Sequence, residues 1–361
     1  MWMLIFFVLP LVGLAYVLWH VWCMLPWGVA GKSAVVAVCI LAFATLFLNF
    51  SHAIDRFPMW LARTCYEVGN SAIFVLLYLV MLFLLLDIGR LLHVVPKSLL
   101  YANGYASLAV TALMVVVFAA AYANYMHKAR HEVSLPVVKN VPAGTKLVMM
   151  SDLHLGYHNG RKELARWVDM VNAERPDVVL FAGDIVDGSL RPMTDEDMAA
   201  ELRRIDAPMF ACLGNHEYYS GIDGSVDFYR EAGITLLRDS AATVGNLVIV
   251  GRDDRSNRHR KSIGALMRGV DTSKYVILLD HQPYHLEQAE RAGVDFQFSG
   301  HTHHGQVWPI SWITQSVYED AYGPWQRGDT RYYVSSGMGI WGAKFRIGTC
   351  SEYIVATFGG D

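Results

Sequence analysis

Asp, His and Asn recur in five short segments after residue 145: Ser151-Asp152-Leu153-His154, Gly183-Asp184, Gly214-Asn215-His216-Glu217, Asp280-His281 and Gly300-His301-Thr302-His303. Carboxylate, amide and imidazole ligands in this number can hold divalent cations and still leave coordination positions open. That is the composition of a hydrolytic metal centre rather than a closed structural one. Cations at such a centre cancel the charge of a phosphoester anion and generate a nucleophile near neutral pH, so the residues point to metal-assisted hydrolysis.

Each segment closes an apolar run. Residues 146–150 lead into Asp152, 178–182 into Asp184, 209–213 into Asn215, 276–279 into His281 and 296–298 into His301. Short apolar runs ended by Gly or polar residues, alternating with helix-like stretches such as 161–174, predict buried strands of an α/β protein. The ligands then lie at one sheet edge, beyond the strand ends, where such folds bind. Residues 332–336 and 353–358, separated by the Gly-rich Gly337-Met338-Gly339, read as two further strands.

With all five segments in register, residues 145–361 resemble a calcineurin-like metallophosphoesterase, whose pattern reads D-x-H, G-D, G-N-H-E, a lone H and G-H-x-H. The resemblance implies a four-layer α/β/β/α sandwich, whose second sheet residues 332–336 and 353–358 complete. It also implies that Asp152, His154 and His303 bind a first metal, that Asn215, His281 and His301 bind a second, and that Asp184 bridges them. His216 then acts as general acid. Mixed nitrogen and oxygen sites accept Mn, Fe, Zn or Co, so the two divalent metal ions are not identified by the ligands alone.

Two comparisons within the resemblance narrow the chemistry. Protein Ser/Thr phosphatases carry Arg where this chain has Gly188, and soluble UDP-diacylglucosamine pyrophosphatases carry Arg where it has His216. The run Gly300 to Gln306 is more similar to the G-H-T-H-G-Q motif of bacterial membrane-associated phosphoesterases, with His304 as an extra residue. Asp187 reads equally as a residue orienting a ligand or as a turn cap. His158 and Asn159 read as a solvated loop, Arg346 as a surface or ion-pair residue, and His259 and His285 as surface residues.

The first 127 residues are a different material. Residues 1–22, 33–50, 71–86 and 107–125 are long and nearly uncharged, close to the ~17–25 residues a spanning helix needs, the third only marginally. They predict four transmembrane helices. Trp2, Trp19, Trp22, Trp27, Trp60, Tyr101 and Tyr105 gather near their ends, where aromatic rings favour the headgroup layer. Asn49, His52, Asp55, Asp87 and Arg90 fall at predicted ends and read as solvated or snorkelling.

The expected division is therefore 1–127 transmembrane, 128–144 connector and 145–361 phosphoesterase, in a multi-pass protein of the cytoplasmic (inner) membrane. Arg56, Arg63, Lys128, Arg130 and Lys139 on one side outnumber Lys32, Arg90 and Lys97 on the other, which favours a catalytic domain facing the cytoplasm. The five cysteines offer no disulfide framework. A net charge of −3 gives no basic stripe for nucleic acid. The oligomeric state stays open.

Directly after the last motif, Trp308, Ile310, Trp312, Ile313, Tyr318, Tyr322 and Trp325 form an aromatic segment suited to a lip at a lipid surface or to packing in a core. The function expected from the whole chain is a membrane-bound phosphoesterase, specifically a phosphodiesterase acting on a lipid or lipid-linked phosphoester, with the bilayer as partner. A membrane sensor or scaffold, or a transport-associated protein, is the alternative. The filled ligand positions and the scarcity of polar residues in the apolar stretches weigh against both.

Overall fold

The structure, a computed structural model, describes residues 8–50 and 53–359. The expectations for residues 1–7, Trp2 among them, and for His52 lie outside the described residues. The chain divides into two compact units, Met1–Ala123 with Gly342–Lys344, and Asn124–Trp341 with Phe345–Asp361.

The first unit is built of helices α1 (Leu9–Met24), α2 (Val29–Phe50), α3 (Met59–Leu91) and α4 (Gly104–Met126), the last running into the second unit. They are apolar around their whole circumference, as helices in a lipid environment are. Three of them, α2, α3 and α4, are long and apolar enough to cross a membrane, and α1 is a shorter apolar helix. The third apolar stretch, read as 71–86, is only the middle of α3. Arg63, Glu67, Asp87 and Arg90 interrupt the hydropathy at both ends but not the helix, which has 33 residues. Pro58 precedes its first turn. It stops at His93, whose φ of 59° lets Val94 N–H donate to Gly89 O at 2.9 Å and His93 N–H to Arg90 O at 3.1 Å.

Asp87 is not a solvated end residue. Its carboxylate accepts from the Tyr16 hydroxyl at 2.8 Å and lies 3.0 Å from His20 Nε2, so α1 and α3 share a polar contact in an otherwise apolar interface. Between α2 and α3 the backbones approach closely at Gly69, where a Cβ would stand 2.5 Å from Leu46 N.

The second unit holds two six-stranded sheets. The first contains β1 (Lys128–Leu135), β2 (Lys146–Met150), β3 (Val178–Ala182), β4 (Met209–Cys212) and β5 (Thr235–Leu236). The second contains β6 (Ser240–Val244), β7 (Leu247–Gly251), β8 (Tyr275–Leu279), β9 (Phe296–Ser299), β10 (Gly323–Arg327) and β11 (Thr330–Val334). The last strand, β12 (Ser351–Phe358), joins the first sheet, giving the orders β1-β12-β2-β3-β4-β5 and β10-β11-β9-β8-β7-β6. The expectation that residues 332–336 and 353–358 complete one sheet together is thus corrected. The first pairs in parallel with β9, whereas the second inserts between β1 and β2, parallel to one and antiparallel to the other. Within residues 128–144, read as a connector, β1 pairs along its whole length with β12.

Side-chain alternation explains why the strands read as continuous apolar runs. In β2, Leu147 and Met149 enter the core between the sheets, with Leu180, Ile249, Ile277, Phe298 and Ile354, while Val148 and Met150 enter a second core on the other face. That second core is covered by residues of α5 (Arg161–Ala173), α6 (Arg191–Asp195), α7 (Met198–Leu202) and α9 (Ile222–Glu231); α8 (Asn215–Tyr219) lies between the last two in sequence. On the outer face of the second sheet, Val248, Val250, Val276 and Leu278 pack with α10 (Ile263–Met267) and α11 (Glu287–Arg291). Burying both faces of a strand gains about 1.5–3 kcal/mol for each large apolar side chain, which is why these strands are apolar throughout. The remaining helix, α12 (Ile310–Val317), lies in the aromatic segment.

The contact at Gly69 yields a prediction. Gly69→Leu forces α2 and α3 apart and is expected to cost about 1–3 kcal/mol, the usual penalty of overpacking. Thermal unfolding of the detergent-solubilised full chain checks this; a melting temperature equal to that of the wild type would refute the close approach.

Candidate metal centre

The five motifs follow strand ends of both sheets. Asp152 and His154 follow β2, Asp184 follows β3, Asn215 opens α8 after β4, His281 follows β8, and His301 and His303 follow β9. Five of these residues hold positive φ: Asp152 at 55°, His154 at 45°, Asp184 at 51°, His301 at 71° and His303 at 47°. Such conformations cost of order 1–3 kcal/mol each for residues with a Cβ and survive only where the surroundings impose them. Backbone bonds impose them here: Asp152 N–H donates to Gly183 O at 3.0 Å, His154 N–H to Asp184 O at 3.0 Å and Gly300 N–H to His281 O at 2.9 Å. Gly214 and Gly300 leave the space. A Cβ at Gly214 would stand 2.1 Å from Asp184 Oδ1, and one at Gly300 2.2 Å from Asp152 Oδ2.

The turns bring the side chains together. Asp152, His154 and His303 present ligand atoms within 4.8 Å of one another, as do Asp184, His281 and His301, and as do His154, Asp184 and His216. Asp184 thus belongs to two groups on either side of it. His303 Nε2 lies 3.4 Å from Asp152 Oδ1, His281 Nε2 lies 3.1 Å from Asp184 Oδ2, and His154 Nε2 faces His303 Nε2 at 3.1 Å. All except His216 and His301 are fully buried.

The donor set fits cations. His281 Nδ1–H donates to Ala182 O at 2.7 Å, which fixes the tautomer and leaves the Nε2 lone pair toward Asp184. His281 Nε2 and Asn215 Oδ1 are both buried without a hydrogen-bond partner, and two imidazole nitrogens meet at His154 and His303. Orphaned acceptors beside two buried carboxylates are what a metal cluster satisfies. The electrostatics agree: burial and the neighbouring His281 push the His301 imidazole down to about 4, leaving it neutral and able to ligate. Burial opposes charge on His154 too, but Asp152 and Asp187 raise it to about 10, so a proton occupies the place a cation would take.

Several positioning residues carry no signal in the motifs. Glu217, quoted only as the last letter of its motif, is completely buried and accepts from Asp184 N–H at 3.1 Å, Ile185 N–H at 2.7 Å, Val186 N–H at 3.1 Å and Gly214 N–H at 2.7 Å. It ties the turn carrying Asp184 to the turn carrying Asn215. Asp187 orients rather than caps: its Oδ1 accepts from His216 Nδ1–H at 2.7 Å and lies 3.6 Å from His154 Nδ1. Burial would raise its carboxyl, yet the bonds to His154 and His216 hold it well below the usual carboxylate range.

Three surface readings are corrected. Arg346 is 1% exposed and donates to the carbonyls of His303 at 2.7 Å, Ser336 at 2.5 Å and Gly339 at 3.3 Å, with burial lowering its guanidinium to about 10. His158 and Asn159 are buried. His158 contacts Ile340 O, and Asn159 donates to Leu153 O at 3.0 Å and His154 O at 3.1 Å while accepting from Tyr125 Oη–H at 2.6 Å. Arg252 and Arg260 both donate to Asp280, steadying the residue before His281. His259 and His285 are exposed, as expected.

The aromatic segment divides in two. Tyr318 lies 6.3 Å from the His301 ring, and Tyr322 stacks on His304 at 4.4 Å. Trp308, Trp312, Ile313 and Val317 are instead exposed, the middle two by 62% each.

Comparison with known proteins agrees with the geometry. The profile of the family described as calcineurin-like phosphoesterase matches residues 145–305. An uncharacterised metallophosphoesterase of Aquifex aeolicus is 35% identical over 236 residues, covering 62% of this chain and 88% of that protein. A transmembrane protein with metallophosphoesterase domain from Danio rerio is 28% identical over 357 residues, covering 90% of this chain and 82% of its own, so the alignment extends through the apolar helices. Among solved structures, a 5'-nucleotidase precursor from Thermus thermophilus aligns with a TM-score of 0.37 and 18% identity, covering 55% of this chain and 49% of that one.

Glu217→Gln puts an amide N–H against backbone donors and is expected to cost about 3 kcal/mol and to weaken metal binding about 10–100-fold. Thermal melting and metal analysis check both. His285→Gln, on the surface, is expected to change neither.

Proposed function

The chain belongs to the calcineurin-like metallophosphoesterase family and is a metal-dependent phosphoesterase; from that premise we propose that it is a membrane-bound phosphodiesterase with a binuclear centre, acting on a lipid or lipid-linked phosphoester. Asp152, His154 and His303 would hold one divalent ion, Asn215, His281 and His301 the other, and Asp184 would be shared between them. The observation that carries this reading is the convergence of Asp152, His154 and His303 in one group and of Asp184, His281 and His301 in another, with Asp184 also grouped with His154.

Ions of the Mn, Fe, Zn or Co type supply Lewis acidity toward the phosphoryl group and acidify water when bound there. The chain's own residues supply the rest. His216 is the general acid: Asp187 accepts its Nδ1–H and fixes the ring, and in its imidazolium form the ring gives the Nε2 proton to the departing oxygen. This suits an alkoxide leaving group, which needs a proton as the P–O bond breaks. Glu217 and Arg346 hold the turns still, so that little reorganisation accompanies the reaction.

The lipid substrate is supported by the exposed Trp308, Trp312, Ile313 and Val317, which follow His303 closely in sequence, and by the apolar helices of the first unit. We count α1 as a fourth span because apolar sequence also precedes it. Four spans give a transmembrane part (1–127) in the inner membrane, followed by a catalytic part (145–361) to whose first sheet β1, within residues 128–144, also belongs. The excess of basic residues on the side of the termini favours a cytoplasmic position for the catalytic part, a four-layer α/β/β/α sandwich.

Asp184→Ala is expected to lose bound metal and to lower turnover of a lipid-extract phosphodiester about a thousandfold, equivalent to ~4 kcal/mol of transition-state stabilisation. Metal analysis of the purified full chain with a turnover screen tests this, and hydrolysis surviving the substitution would overturn it. For the lip, Trp308→Ser with Trp312→Ser is expected to lower turnover of a long-chain lipid phosphodiester about tenfold, from ~1.5 kcal/mol of lost apolar burial, while sparing a short soluble diester. An unchanged ratio of the two rates would remove the lipid assignment.

A further inference from the structure

A second group of metal-ligating side chains lies apart from the centre just described. His131 on β1, Cys350 immediately before β12 and Glu352 on β12 present ligand atoms within 4.8 Å of one another. We propose that these three residues form a separate mononuclear site for a thiophilic divalent cation, zinc above all.

The donor chemistry selects the ion. Thiolate with imidazole and carboxylate favours zinc over magnesium, calcium or manganese, whereas the binuclear centre offers only oxygen and nitrogen. Three protein donors leave a fourth position for water, and His131, whose side chain is 40% exposed, gives an entry path.

The geometry is better suited to an ion than to an ion pair. Glu352 is completely buried; His131 Nε2 lies 3.2 Å from its Oε2, and the buried Arg346 guanidinium, held by backbone carbonyls, acts on it at longer range. The His131 nitrogen is itself buried and makes no hydrogen bond. A buried imidazole nitrogen without a hydrogen-bond partner, next to a buried carboxylate and with a sulfur beside both, is an arrangement that a cation would satisfy. The supporting groups are in place. Tyr322 Oη–H donates to Glu352 Oε2 at 2.9 Å and lies 3.5 Å from Cys350 Sγ, and Ser336 N–H donates to Glu352 Oε1 at 2.9 Å. Such outer hydrogen bonds orient ligands in metal sites.

The position gives the site consequences. Ser336 O accepts from Arg346, and Arg346 also donates to His303 O, so two hydrogen-bonded residues link Glu352 to a ligand of the other centre. The site also clamps β1 to β12, the pair that closes the first sheet.

The test uses the detergent-solubilised full chain, metal-depleted under reducing conditions and titrated with Co²⁺. Wild type is expected to bind a third equivalent accompanied by a near-ultraviolet thiolate-to-cobalt charge-transfer band. Cys350→Ser is expected to lose the band and that equivalent while keeping two. His131→Gln, at a half-exposed position, is expected to weaken the same event at least tenfold. In Asp184→Ala the band is expected to persist, so failure of the binuclear reading leaves this one standing and the reverse. Zn²⁺ is expected to raise the melting temperature of wild type by about 5 °C or more, and that of Cys350→Ser by less. Absence of the band from wild type, its survival in Cys350→Ser, or a simple imidazolium–carboxylate pair with no thiolate signal would each overturn the proposal.

Discussion

Two carboxylates, Asp152 and Asp184, sit out of water within one cluster of imidazoles. A protein sustains buried negative charge only when positive charge and hydrogen bonds are brought to it, and lone pairs aimed at the same space make the demand sharper. Everything around the centre answers that demand. Strand ends deliver the side chains, turns at positive φ aim them, and glycines at 214 and 300 keep the path between backbone and carboxylate open.

Holding strained turns in place is the work of groups that do not touch the metal positions. Glu217 gathers backbone N–H groups from two motifs, and Arg346 gathers carbonyls from two loops. Both are buried polar groups enclosed by backbone dipoles, an arrangement that is stiff because any displacement leaves a buried polar group unsatisfied. Asp187 extends the same principle to His216 by fixing which ring nitrogen carries its proton.

The converging Asp and His residues were legible in the sequence because a site of this kind demands particular residue types at particular distances from strand ends. The sheets were legible for a related reason: burial on both faces requires unbroken apolar runs, as in residues 178–182. What escaped was of two kinds. Arg346 and Asn159 act on carbonyl oxygens, which every residue carries, so nothing in the partners' identities betrays the contact. The place of β12 and the polar contact of Asp87 depend on pairings between segments remote in sequence, which local patterns do not encode. Hydropathy likewise found the apolar middle of α3 but not its ends, because helix continuity depends on backbone bonding rather than on greasiness.

The insertion of β12 between β1 and β2 bears on how the protein is made. β1 emerges from the ribosome early, yet its partner follows roughly 220 residues later, from Lys128 to Ser351. Until then one edge of β2 and all of β1 lack neighbours, beside apolar helices that have already left the exit tunnel. The nascent sheet therefore carries an open, pairing-competent edge until the last strand is made.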